Sequence, residues 1–266
     1  MKSITKLLLG GGLTLFIAVF GYGWHLRDVY LGFNASTDAG DAYFSRETLE
    51  NYGEQILKEL KRKDVKFAVI SRAGQAREKL PEGVMFTHSA FFRRNTAGSY
   101  DVYNLYHGEK NRLRSTLVTD TSADFLRLLQ ERDAGILIPN AETQSLLYDF
   151  VESPKYAAVH HPDYSLISNP FDLRWQNCNE FMLYVFGATI WDTTDRETLR
   201  KRLEETITPT ELKVSFLKRY YGPKVDERLI LKDHGDKVYT TTFATLSQLF
   251  EKTNRLEESY VIQLED

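Results

Sequence analysis

Cys178 is the only cysteine in the 266-residue chain, and its neighbours are polar. Asn177 is a good helix N-cap, which would place Cys178 in the first turn of a helix. A thiol there feels the positive end of the helix dipole, which lowers its pKa and favours a reactive thiolate. The alternative is a small buried hydrophobe, the usual role of a free cysteine. The amides of Gln176, Asn177 and Asn179 favour the reactive role, because they suit a packed apolar helix face poorly.

A candidate base for this thiol is His88, which shares one face of a predicted strand with Phe86 and Ala90. Asn104 and His107 lie on the next predicted strand, and either could fix the tautomer of His88. A cysteine at a helix start and a histidine on a strand form the arrangement of papain-like thiol hydrolases. The alternative for His88 is a hydrogen-bonded core histidine.

The sequence signals for a metal or cofactor site are weaker than those for a reactive thiol. His160 and His161 are adjacent, so in an extended chain they point in opposite directions. Asp233 and His234 suit either a metal or acid–base couple or a turn before Gly235. A metalloprotein that uses these histidines is therefore a third hypothesis. The chain has no Gly-rich phosphate loop, HExxH or GxSxG motif, and we expect neither a metal nor a cofactor.

The elements that position these residues mix strands and helices without strict alternation. Predicted strands cover 65–71, 84–92, 100–107, 115–119, 134–138, 237–243 and 259–264, with another near Leu229. Predicted helices cover 45–63, 121–131, 142–151, 177–189 and 245–251. Two further helices are predicted to start at capping boxes, Thr194 with Glu197 and Thr208 with Glu211. This pattern indicates an α+β fold with one domain over 45–266.

Composition excludes several classes of protein. Hydrophobic residues make up 42% and charged residues 27% of the chain, which are ordinary globular values. The formal net charge is −3, so the basic excess typical of nucleic-acid binders is missing, and we expect no nucleic-acid partner. A single cysteine excludes an internal disulfide framework.

The N-terminus has the pattern of an export or anchor segment. Lys2 and Lys6 precede an uncharged run over residues 7–24, long enough to cross a bilayer. A cleaved signal peptide and a retained anchor over 1–26 both fit, followed by a linker over 27–44. We expect the domain on the periplasmic side of the inner membrane, or free in the periplasm if the segment is cleaved. The membrane is a partner only if the segment is retained.

Several short motifs keep a common order between about residues 48 and 252. They lie at 71–75, 87–89, 164–171 and 176–179, with later landmarks at 209–210 and 233–234. Together they resemble the bacterial family called domain of unknown function 2145. Members of that family look like exported proteins, in agreement with the N-terminal segment.

That family is in turn similar to the circularly permuted NlpC-like branch of the papain-like hydrolases. The resemblance implies an antiparallel sheet packed against helices. It also implies a histidine on a strand, a polar residue on the next strand and a cysteine at a helix start. His88, Asn104 and Cys178 match these positions, with His107 as the alternative to Asn104. Similar chains can carry serine at the cysteine position.

Two functional hypotheses follow. In the first, Cys178 attacks an amide or ester of a cell-wall peptide or lipid acyl group, and His88 takes its proton. Gln176, Asn177 and Asn179 then bind the oxyanion or the substrate. In the second, the chain is a catalytically inactive papain-like binding or assembly module at the cell envelope. The sequence does not indicate the oligomeric state.

Overall fold

The computed structural model describes residues 42–266. The predicted export or anchor segment and most of the predicted linker lie outside the described residues. Within residues 42–266, no helix has the length and apolar character needed to cross a bilayer.

The described chain contains eight helices and eight strands. The helices are α1 (Arg46–Arg62), α2 (Ser122–Leu126), α3 (Ala141–Phe150), α4 (Pro154–Ala158), α5 (Cys178–Trp191), α6 (Arg196–Thr206), α7 (Phe216–Val225) and α8 (Phe243–Lys252). The strands are β1 (Phe67–Arg72), β2 (His88–Arg94), β3 (Tyr100–His107), β4 (Ser115–Asp120), β5 (Asp133–Pro139), β6 (Thr210–Leu212), β7 (Val238–Thr240) and β8 (Leu256–Gln263). A short 3₁₀ turn covers Arg77–Lys79.

Six strands form one antiparallel sheet in the order β4-β3-β2-β1-β5-β8, and β6 pairs with β7 in a small second sheet. The strands β1 to β4 lie side by side in chain order. On the other side of β1, the strands β5 and β8 extend the sheet. The predicted α+β class, with an antiparallel sheet packed against helices, is confirmed.

Two aromatic cores cover the two faces of the large sheet. Consecutive side chains of a strand point to opposite faces, and Phe91 and Phe92 of β2 show which helices lie on each. The ring of Phe91 lies 5.3 Å from that of Phe186 in α5, while the ring of Phe92 lies 5.4 Å from that of Phe125 in α2. We call these the α5 face and the α1 face, because α1 packs beside α2 on the second.

A third, smaller core lies beside the large sheet. Its buried side chains come from the loop before β2, from the long irregular stretch before α5, from the β6–β7 sheet and from the segment after α7. They are Val84, Ile167, Leu212, Leu229 and Val238. This core joins the chain after α6 to the large sheet.

The start of α1 is as predicted. Ser45 is the N-cap, and its hydroxyl accepts a hydrogen bond from the Thr48 backbone N–H at 3.1 Å. The buried side chains of α1 follow helical spacing, among them Leu49, Tyr52 and Ile56. Local capping and amphipathic spacing agree here, and the element forms where both signals place it.

Two predicted helix starts after α5 are wrong. Asp195, rather than Thr194, caps α6 by accepting from the Thr198 backbone N–H at 2.8 Å. No helix starts at Thr208, because Thr210–Leu212 pairs with Val238–Thr240 as β6. The gain from strand pairing and from burying Leu212 overrides the local capping signal.

The predicted strand near Leu229 is also wrong. Leu229 is buried in the third core, but it lies in an irregular segment after α7. The helix α7 itself, which no capping box announces, was not predicted.

Replacing Phe186 by Ala should strongly destabilise the fold. Phe186 is fully buried and its ring contacts Phe91 at 5.3 Å and Phe250 at 4.2 Å between centroids. We expect a loss of about 3–5 kcal/mol in the free energy of unfolding, measured by urea denaturation. The control Leu146→Ala changes an exposed side chain of α3 and should cost under about 1 kcal/mol. Equal losses in the two variants would contradict this account of the core.

Candidate functional site

Cys178 is the first residue of α5, as predicted. Asn177 is the N-cap in an extended conformation, and its side-chain oxygen accepts from the Glu180 backbone N–H at 2.8 Å. The helix is apolar on nearly all sides, and its residues are buried from Cys178 to Ala188. It can form only inside a core, because neither face is suited to water.

The Cys178 thiol is enclosed by protein. Its Sγ lies 3.9 Å from the Thr87 carbonyl oxygen, to which it donates, and the residue is 3% exposed. Burial raises the pKa of the thiol to about 11, against the lowering effect of the backbone amides of Ser89 and Asn179. The predicted helix-start effect is therefore outweighed by desolvation, and the group is a neutral thiol at pH 7.

His88 is the first residue of β2, and it faces away from α5. Its ring stacks on Tyr106 at 5.1 Å and lies 5.6 Å from Phe125, both on the α1 face. Cys178 packs with Phe91 in the core of the α5 face. The backbone of β2 therefore lies between the Cys178 sulfur and the His88 ring, and the two side chains make no hydrogen bond.

His88 does pair with Asn104. The His88 Nε2 lies 3.2 Å from the Asn104 Oδ1, and the Asn104 Nδ2 donates to Asp120 Oδ2 at 2.9 Å. Since an ionised carboxylate only accepts, Asn104 turns its amide nitrogen to Asp120 and its oxygen to His88. His88 then carries its proton on Nε2. Burial and the nearby Arg72 hold the pKa of His88 well below its usual value, so the ring is neutral.

Arg72 stands opposite His88 in the β1–β2 register. It is 1% exposed; its Nε donates to the Phe125 carbonyl at 2.5 Å, and its guanidinium lies over the Phe125 ring. Within residues 42–266, the Arg72 Nη1 and the His88 Nδ1 each lack a hydrogen-bond partner. The α1 face thus holds a buried network in which one cationic donor and one neutral acceptor remain unsatisfied.

His107 lies on the α5 face but is bound elsewhere. Its Nε2 accepts from Arg228 Nη1 at 2.7 Å, and its Nδ1 donates to the Gly108 carbonyl at 3.3 Å. Arg228 is itself paired with Asp226, and both are buried. Burial and the Arg228 charge lower the pKa of His107 to about 4. The His88 partner in this structure is therefore Asn104, and His107 has no free nitrogen for Cys178.

The three amides around Cys178 mainly hold the backbone. Gln176 bonds to the loop at 159–161 through both ends of its side chain. Asn177 caps α5, and Asn179 Nδ2 donates to the Thr241 carbonyl at 3.3 Å. The space beside Cys178 is a cavity of about 30 Å³, room for about one water molecule. An amide or ester substrate does not fit this space without movement.

The remaining histidines are bound in separate places. His160 Nε2 lies 2.9 Å from Ser115 Oγ, and His161 Nδ1 accepts from the Asp163 backbone N–H. His234 Nε2 donates to a backbone carbonyl at 3.0 Å. In the described part of the chain, no group of three or more His, Cys, Asp or Glu side chains could hold a metal ion.

Asp233 and His234 brace the segment before α5. The Asp233 carboxylate accepts from the Asn169 backbone N–H at 2.8 Å, and the Asn169 side chain donates back to the Asp233 carbonyl at 2.9 Å. The His234 backbone N–H closes a turn on the Leu231 carbonyl, and Asp233 Oδ1 lies 3.3 Å from His234 Nε2. The turn and the paired side chains are therefore both present.

A larger cavity lies away from Cys178 and was not predicted. It measures about 500 Å³ and is bounded by the loop at 78–82, by β6 and by α7. Its apolar lining includes Ile167, Leu212, Val214, Leu229 and Leu231. We call it the α7 cavity. The sequence signals for it are the apolar and basic pattern of 216–225 and the N-cap Ser215, which accepts from the Lys218 backbone N–H but forms no capping box.

A model of the family described as "Uncharacterized protein conserved in bacteria (DUF2145)" matches residues 59–250, well over half of the chain. The chain belongs to this family. No curated protein and no solved structure matches it. The resemblance seen in the sequence motifs is therefore confirmed at the level of the family. Two of these motifs meet at the candidate site, since 87–89 and 176–179 contain His88 and Cys178.

Alkylation of Cys178 should report a buried neutral thiol. Because burial raises its pKa to about 11, labelling by iodoacetamide should be slow at pH 7 and rise toward pH 11. His88→Ala should leave the pH midpoint unchanged, since β2 separates the two side chains. Rapid labelling near pH 6 that is lost in His88→Ala would contradict the separation of the two side chains. It would show instead that His88 activates Cys178.

Stability should fall in mild acid because His88 is held neutral. Its pKa is depressed on folding, so the unfolded chain binds the proton more readily, and stability is lost as pH falls below about 6.5. Between pH 7.5 and 5 we expect His88 to account for up to about 2 kcal/mol of this loss. Urea unfolding of His88→Gln at both pH values should show a smaller loss than the parent chain. His161→Gln, at a half-buried ring, should show less difference. Identical losses in the parent chain and His88→Gln would refute the assignment.

Proposed function

We propose that the chain is a catalytically inactive papain-like binding module of the cell envelope, and that it holds one acyl chain of an anionic amphiphile in the α7 cavity. The observation that carries this proposal is an apolar cavity whose wall contains Lys218, which is half-buried and has no ion-pair partner within residues 42–266. The papain-like relation is supported by the chain order of strand histidine, strand asparagine and helix-start cysteine.

The size and lining of the α7 cavity suit an acyl chain. Its volume of about 500 Å³ lies within the usual 300–1,000 Å³ of small-molecule sites. Leu212 and Leu229 are buried at its base, and Val214 and Leu231 are half-buried along it. Apolar surface that is open to water in the empty cavity would be covered by a hydrocarbon chain.

The charges around the cavity suit an anionic head group. Lys218, Lys79 and Glu78 line it, and none of the three has an ion-pair partner within residues 42–266, which leaves an excess of one positive charge. Lys213, by contrast, pairs with Glu82 at 2.8 Å. A carboxylate or phosphate at the mouth would pair with Lys218, whose stem already packs in the wall.

The geometry around Cys178 supports binding without turnover. A general base must reach the proton that it takes, and the His88 ring lies on the other face of the sheet. His107, on the same face as Cys178, accepts from Arg228 instead. The raised pKa of the thiol removes the remaining route, an intrinsically ionised nucleophile.

A second candidate function is a thiol acyl transferase. It is favoured by one observation: Ile167 lines both the α7 cavity and the small cavity beside Cys178. Rotation of this side chain would connect a bound acyl chain to the sulfur. After incubation of the full chain with an acyl ester, intact-mass measurement would show an acyl adduct that Cys178→Ser lacks. If the parent chain carries no adduct, the acyl transferase function is excluded and the binding module remains.

The envelope location rests on the sequence. The basic start and the apolar run over residues 7–24 support a location of the domain outside the cytoplasm. The amphiphile would then come from the membrane lipids of that compartment.

Acyl binding should map to the α7 cavity. The full chain in phosphatidylcholine nanodiscs is treated with a palmitate that carries a diazirine in its chain, and crosslinked peptides are mapped by mass spectrometry. We expect crosslinks in 212–214 and 229–231, reduced at least tenfold in Val214→Trp, because the larger ring fills the cavity. Lys218→Gln should reduce them about threefold to tenfold through loss of a charged hydrogen bond.

The matched control is Val261→Trp, at an exposed position of β8 far along the chain from the cavity. It should crosslink like the parent chain. Crosslinks spread evenly over the surface, or unchanged by Val214→Trp, would refute the proposed site.

A further inference from the structure

The outer side of α7 is an unusual surface. Its ten residues bury only Gly222. Four of its side chains are large, apolar and exposed: Phe216 at 79%, Leu217 at 44%, Tyr220 at 54% and Tyr221 at 41%. Within residues 42–266 these are half of the eight large hydrophobic side chains that are exposed. Exposed apolar side chains gathered on one short helix indicate an interaction surface.

The spacing of these side chains gives α7 two functional sides. Positions 216, 217, 220 and 221 fall on one stripe of a helix. Lys218 and Gly222 fall on the opposite side and line the α7 cavity. Pro223, seven residues after Phe216, lies at the edge of the apolar stripe and also lines the cavity. The apolar stripe therefore leaves a large part of each side chain open to solvent, most of all at Phe216 and Tyr220.

Basic side chains lie on α7 beside this stripe. Residues 213–225 contain Lys213, Lys218, Arg219 and Lys224 and no acidic residue, in a chain of net charge −3. Lys213 is paired with Glu82 and Lys218 lies on the cavity side, so Arg219 and Lys224 are the cations nearest the stripe. The Lys224 Nζ lies 3.6 Å from the centre of the Tyr220 ring. Arg219 donates to the backbone carbonyls of Gly235 and Asp236, which ties α7 to the turn before β7.

An amphipathic helix with aromatic side chains between lysines and arginines is typical of helices that lie in a membrane interface. Tyrosine places its ring below the head groups and its hydroxyl among them, and lysine extends its charge toward lipid phosphates. We propose that α7 docks with this outer stripe onto an anionic bilayer surface.

The charge of α7 favours an anionic bilayer as the surface that it contacts. The helix α7 carries Lys218, Arg219 and Lys224 and no acidic residue of its own, so its net positive charge matches a sheet of anionic head groups. Each cation near such a surface strengthens adsorption about fivefold. Residues 25–41, between the apolar run and the first described residue, span at most about 60 Å. A domain of this size is about 45 Å across. Tethering therefore allows any face to reach the bilayer, and α7 is the face that suits it.

The inference goes beyond the proposed function, since docking does not require an acyl chain in the α7 cavity. The test uses the full chain with Cys178→Ser and Tyr220→Cys, labelled at position 220 with a solvatochromic dye. In phosphatidylglycerol nanodiscs we expect a blue shift of the dye emission relative to phosphatidylcholine nanodiscs. The same dye at Leu146→Cys, an exposed position on α3, should show no difference between the two lipids.

Charge variants complete the test. Lys224→Glu should lower the docked fraction at least fivefold, whereas Lys58→Glu on α1 should leave it unchanged. Val214→Trp, which blocks the α7 cavity, should also leave the shift unchanged, so failure of acyl binding and failure of docking are distinguishable. Circular dichroism confirms that each variant is folded.

Equal emission at position 220 in the two lipids would overturn the proposal, as would equal effects of Lys224→Glu and Lys58→Glu. A blue shift that appears without lipid and grows with protein concentration would assign the stripe to a second copy of the chain, and would also overturn it.

Discussion

The alternation of side chains across the strand β2 determines how the rest of this protein is arranged. The large sheet is covered on both faces, so each residue of β2 belongs to one of two cores. Phe91 packs against α5 and Phe92 against α2. His88 falls on the same face as Phe92, and with it come Asn104 and the buried network around Asp120. A shift of one residue in this strand would turn His88 toward the face of Cys178. It would also move the side chains of each core to the opposite face of the sheet.

Burial decides the chemistry of each candidate group. The dipole of α5 favours a thiolate at Cys178, but removal of the sulfur from water opposes it more strongly and raises the pKa to about 11. The cost of removing a charge from water also lowers the pKa values of His88 and His107 and keeps both rings neutral. In the structure, His88 and His107 are therefore neutral, buried and hydrogen-bonded. Within the described chain, Arg72, His88 and Asn179 are among the residues that each keep a buried polar atom without a hydrogen-bond partner.

The two proposals concern opposite sides of one helix. The inner side of α7 contributes Lys218 to the wall of the cavity, and the outer side carries the exposed aromatic stripe. A ligand that leaves a bilayer at the outer side of α7 needs to travel only past this helix to reach the cavity. Because α7 buries little of its own surface, its movement costs few contacts. Membrane docking and acyl binding would thus support each other without being the same event.

Local sequence signals determined much of the fold by themselves: the start of α1 at Ser45, the strand Tyr100–His107, the cap of α5 at Asn177 and the family. Each depends on neighbours within a few residues or on the order of motifs. Only the tertiary structure decided that Thr210–Leu212 is a strand, that Asn104 rather than His107 bonds His88, and that β2 separates His88 from Cys178. These outcomes depend on which face a strand buries and what packs there. Strand alternation predicts that neighbouring residues face opposite sides of the sheet. Only the packed helices show which residues face α5 and which face α1.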